Sequence, residues 1–136
     1  MPAPRDPTHK TLRRKLEAAR EALAASPARL IPVDYHRHVV NDLVELGVDE
    51  ETYWSLLPRL IDAVLASDPA KCYAGSYPAD RVNNHPRFKD LELWAFKTSL
   101  SEYPFVIYFK FCLKAHPTTK EIIYCHVDCH PNREKA

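Results

Sequence analysis

Leu12, Leu16, Ala19 and Leu23 recur at helical spacing in an otherwise charged stretch, which predicts an amphipathic helix from about Thr8 to Ser26 with Thr8 as its N-cap. Ala28–Tyr35 reads as a short strand, and Pro32 within it suits an edge position. Val39, Val40, Leu43 and Val44 place a helix over His36–Leu46, closed by Gly47. Asp49 then caps a second helix, with Glu50 and Glu51 where its dipole favours negative charge. The apolar face of that helix carries Tyr53, Trp54, Leu57, Leu60, Ile61, Val64 and Leu65, and Pro58 is expected to kink or split it.

Turn-forming residues dominate positions 67–90, so this stretch is expected to be loop. Three runs rich in aromatic and β-branched residues follow, at Leu91–Ser99, Phe105–Leu113 and Glu121–Cys129. A helix pair followed by a run of strands predicts an α+β fold, with the helix hairpin on one face of a mostly antiparallel sheet of about four strands. Residues 1–27 form a tip and an extra N-terminal helix, whose leucine stripe is read as packing on the domain. Residues 28–136 form the α+β domain itself.

Strand alternation then assigns the faces. Phe105, Ile107, Phe109 and Phe111 are expected to turn to the helices, with Val106, Tyr108 and Lys110 outward. In the last strand Ile123, Cys125, Val127 and Cys129 are expected inward, and Ile122, Tyr124, His126, Asp128 and His130 outward. The face of Lys97 is ambiguous between its neighbours Trp94 and Phe96. Such an outward face has chemistry within reach. Histidine transfers protons near neutral pH, lysine stabilises developing negative charge, and tyrosine stacks on bases. An antiparallel sheet also commonly has one wet side that does nothing further.

Nineteen Lys and Arg against eighteen Asp and Glu leave the 136-residue chain at a formal charge of +1, without the basic surplus of a strong nucleic-acid binder. No apolar run is long enough for a membrane span and the N-terminus lacks an apolar signal region, so a cytoplasmic location is expected. Cys72, Cys112, Cys125 and Cys129 are then expected reduced, mostly as small buried side chains. The run CHVDCH at Cys125–His130 carries zinc-ligand types, but residues four apart on a strand stand about 13 Å from each other, too far to share an ion. No metal and no cofactor is expected.

Four stretches resemble the RelE/ParE superfamily of bacterial toxins. They are RLIPVDYHRHVVNDL (with Asp42 and Leu43), HPRFKDLELWAF, YPFVIYFKF and EIIYCHVDCHPNREK, spread over about residues 28–134, and the order strand, helix hairpin, loop, three strands is also that of the family. The resemblance implies a toxin paired with a cognate antitoxin. One branch of the family cleaves mRNA on the ribosome, and another inhibits DNA gyrase. For the cleaving branch, the positions implied to act are Lys97, Tyr108, Lys110, His126, His130 and Arg133, the cations holding phosphate and a histidine moving protons. The chain departs from the pattern in its neutral charge and in having Pro104-Phe105 where the family often has arginine. A gyrase inhibitor or a non-toxic binding module on the same fold would need only a complementary surface.

Overall fold

The computed structural model describes residues 8–75 and 91–132. Helix α1 (His9–Ala24) is capped by Thr8, whose side chain accepts the Thr11 N–H. Its apolar stripe is used within the chain: Leu12, Leu16, Ala19 and Ala22 are buried as α1 packs on α3 and β4. Strand β1 (Leu30–Pro32) follows, then a π-helical turn (Tyr35–Val39) that runs into α2 (Val40–Leu46). Helix α3 (Glu50–Ala66) is capped by Asp49 accepting the Thr52 N–H, and a four-residue helix α4 (Pro69–Cys72) follows it. Pro58 does not split α3, because buried Leu56, Leu57, Leu60 and Ile61 anchor both sides of it to the core. The short α4 was not visible in a stretch read as loop, and the remainder of that loop, residues 76–90, lies outside the described residues.

Gly47 ends α2 at φ +70°, in the left-handed region, where its N–H satisfies the Leu43 and Val44 carbonyls. An added Cβ there would meet nothing within 4 Å, so only backbone strain opposes a side chain. Gly47→Ala should therefore cost about 1 kcal/mol, read as a lowered urea midpoint at unchanged slope.

Among the described residues the sheet is four-stranded and mixed, in the order β1-β4-β3-β2, with β2 at Trp94–Thr98, β3 at Ile107–Ala115 and β4 at Ile122–Pro131. β2, β3 and β4 pair antiparallel, and the three-residue edge strand β1 pairs parallel to β4. One face is covered by the helices, α1 and α2 against β4 and α3 against β2. Trp94 and Phe96 of β2 meet Phe111 and Phe109 of β3 on that face, and Phe111 stacks on Tyr124 of β4 at 4.9 Å between ring centroids. This aromatic layer, with the leucines of α1 and α3, is the core.

The ladder between β3 and β4 slips by one residue. Lys110 pairs with Asp128 and Phe111 with His126, so Val127 has no partner and bulges. A bulge changes which way the following side chains point. Before it, Tyr124 and His126 turn to the helices while Ile123 and Cys125 turn away. After it, Cys129 faces the helices, and Asp128 and His130 turn to the other side. Regular alternation would have put His126, Asp128 and His130 together. The expected outward placement of His126 and Tyr124, and the inward placement of Ile123 and Cys125, are therefore corrected.

Candidate functional site

The sheet face away from the helices carries a polar row at the bulged end. Lys97 of β2 lies opposite Tyr108 of β3, and Tyr108 opposite His130 of β4. One step along, Lys110 lies opposite Asp128. The pairing with Tyr108 settles the face of Lys97. Tyr108 and His130 stack with centroids 5.2 Å apart, and Lys110 Nζ stands 5.9 Å over the Tyr108 ring. Four sequence-derived candidates, Lys97, Tyr108, Lys110 and His130, thus share one surface. Arg133 lies outside the described residues.

The tautomer of His130 follows from its partner. Nδ1 lies 2.8 Å from the Pro131 carbonyl oxygen, which only accepts, so Nδ1 carries the proton. Nε2 is the nitrogen left for proton transfer, 3.8 Å from Asp128 Oδ2. A proton taken up at Nε2 would find a carboxylate beside it. The residue is only 7% exposed, so its ring is held by packing rather than by solvent.

His126 belongs to different chemistry. It is fully buried, with ring edges of Tyr53 and Trp54 against it. Its Nε2 lies 2.6 Å from Tyr53 Oη, which donates to Asp42 Oδ2 at 2.7 Å, and the same Oδ2 accepts the Cys129 N–H at 2.8 Å. Tyr53 has one proton to give and Asp42 receives it, so His126 donates from Nε2 and its other nitrogen, Nδ1, has no hydrogen-bond partner among the described residues. Burial depresses its pKa to about 3, helped by the charge of His38, so the ring is neutral at any ordinary pH. Burial also raises the Asp42 carboxyl above its usual range, against the opposing hydrogen bonds from Tyr53 and Cys129. The Tyr53 hydroxyl is pushed well up by burial.

Tyr53→Phe removes the hydroxyl that joins these two buried groups. It should cost about 1–3 kcal/mol, measurable as a lowered denaturation midpoint with the fold retained. Asp42 and Tyr53 were missed as a network by sequence reading. An aspartate early in a helix and a tyrosine on an apolar face each have ordinary explanations, and nothing in their spacing from His126 announces the contact.

The run CHVDCH is divided by the bulge, with Cys125, Asp128 and His130 on one face and His126 and Cys129 on the other. Among the described residues no group of three or more His, Cys, Asp or Glu could hold a metal ion. Cys112 and Cys125 oppose each other beyond the polar row, and a thiol–thiol hydrogen bond raises Cys112 and lowers Cys125. A largely apolar groove of about 280 Å³ lies at the far end of the sheet, where Leu30 and Ile31 meet His116 and Ile123, away from His130. Among the described residues no helix is long and apolar enough to cross a membrane.

No protein-family model matches this chain, and no curated protein or solved structure was found to be similar to it.

Proposed function

We propose that the chain is a cytoplasmic toxin of the RelE/ParE type, held in check by a cognate antitoxin, and that it cleaves translated mRNA without a metal. The observation that carries the reading is the row Lys97–Tyr108–His130 with Lys110 and Asp128 beside it. The element order, a strand, a helix pair and three strands, supports it as well.

In this reading a single RNA strand crosses the sheet face away from the helices. Lys97 and Lys110 hold the scissile phosphate and Tyr108 stacks on a base. His130 takes the 2′-hydroxyl proton at Nε2. The 2′ oxygen attacks phosphorus, the bond from phosphorus to the 5′ oxygen breaks, and that oxygen takes a proton from water. The products are a 2′,3′-cyclic phosphate and a 5′-hydroxyl. Asp128 offsets the charge gained by His130. His126, buried and neutral, takes no part.

The test uses purified protein and ribosome-bound mRNA in the presence of a chelator. The expected products are 5′-hydroxyl ends, with Lys97→Met and Lys110→Met each weakening cleavage. Ends bearing 5′-phosphate, or no cleavage at all, would sink the reading. The net charge of +1 favours one other reading, a toxin that blocks a protein target such as DNA gyrase, or a binding module of the same shape. That reading predicts no cleavage and indifference to loss of His130.

A further inference from the structure

We propose that Asp42 is the positioning residue of the sheet face away from the helices: its carboxylate, braced by Tyr53, holds the bulge at Val127 and so keeps Asp128 and His130 on that face. The claim concerns geometry and does not depend on the ribonuclease reading.

β1 covers the outer edge of β4 only from Tyr124 to His126, and its last bond there is the Val33 N–H to the His126 carbonyl. Beyond that point the Cys129 N–H points to an edge where none of the described residues forms a strand beside it. An amide left unpaired inside a protein is costly. The Asp42 side chain, reaching over from α2, takes the place of the missing strand carbonyl. It does so two residues past the bulge, where β4 would otherwise be able to slip.

A slip of one residue would restore regular pairing and carry Asp128 and His130 to the helix face. Burial already opposes it, because Asp128 and His130 would enter the core as Cys129 left it. The bond to Cys129 opposes it as well, since a slipped strand would move that N–H away from Oδ2. Burying a carboxylate for this purpose is expensive, and Asp42 is only 2% exposed. The cost is reduced by the second bond to the same oxygen, from Tyr53, which His126 in turn orients. The Asp42 carboxyl also feels the charges of Asp128 and His130, which places it close behind the pair it would position.

The test is nuclear magnetic resonance on the full chain, wild type beside Asp42→Asn and Asp42→Ala. Two signals report the bulge: exchange of the Cys129 amide and the cross-relaxation between the Tyr108 and His130 rings. In the wild type the amide should be protected and the ring contact present. A rapidly exchanging Cys129 amide in the wild type would overturn the proposal even if no variant folds. Asn keeps an oxygen where both bonds are made, so the asparagine variant should retain the ring contact; a folded asparagine variant that loses both signals would count against the acceptor role. The alanine variant should lose the ring contact and exchange about 10- to 100-fold faster at Cys129, the loss of one hydrogen bond to a charged group. An alanine variant that folds and keeps the Tyr108–His130 contact would overturn the proposal. Cleavage is not a readout here, so failure of the ribonuclease reading leaves the outcome interpretable.

Discussion

His130→Ala should lower RNA cleavage about 100- to 10,000-fold, the usual worth of a positioned proton-transfer group. The expectation rests on the ring itself. Its Nδ1 proton is fixed by the Pro131 carbonyl, which leaves Nε2 as the nitrogen for proton transfer in this proposal, 3.8 Å from the Asp128 carboxylate. His126→Gln is the matched control. Glutamine keeps an N–H donor for Tyr53 but has no titrating ring, and it sits on the helix side of the sheet rather than on the face that carries His130. Its cleavage rate should stay within about threefold of wild type, below the size expected for loss of a catalytic group. Equal losses in the two variants would mean that folding, not chemistry, was measured, and the denaturation midpoints of both decide that point.

Stability should fall steeply in mild acid, and His126 should be the reason. Its folded-state pKa of about 3 lies below the ordinary histidine value of 6.5. The unfolded chain therefore binds a proton that the folded one refuses. This contribution is fully present above pH 6.5 and is lost as pH falls from there toward 3, at about 1.4 kcal/mol per pH unit. Asp42 acts in the opposite sense. Its raised carboxyl holds a proton longer in the folded state than in the unfolded one, so lowering the pH through the range just above 3.8 favours the fold. Between pH 6.5 and 5 the histidine effect should dominate. Urea denaturation at half-unit steps across that interval should show the slope in wild type and its loss in His126→Gln. An unchanged slope in the variant would show that His126 is not buried neutral in solution.

The two histidines also mark where sequence reading stopped. Regular patterns were legible: the leucine stripe of α1, the Thr8 and Asp49 caps, Gly47 at a helix end, and three aromatic strands. The outward placement of Tyr108 and Lys110 followed from β3, which alternates without interruption. β4 does not. Its phase changes at Val127, a residue of ordinary strand character, and a bulge at such a residue leaves no mark in composition. Only the structure shows it: Tyr124 and Cys129, five positions apart, both face the helices, which no regular strand allows. The Asp42–Tyr53–His126 network depends on three elements meeting in space, and Lys97 needed the β2–β3 register before its face was known.

The most direct test of the account is a map of mRNA 5′ ends in cells expressing the wild type, His126→Gln or His130→Ala from a tight promoter. The account predicts new ends inside translated codons with the wild type and with His126→Gln, and none with His130→Ala. New ends that persist without His130, or no new ends with the wild type, would contradict it.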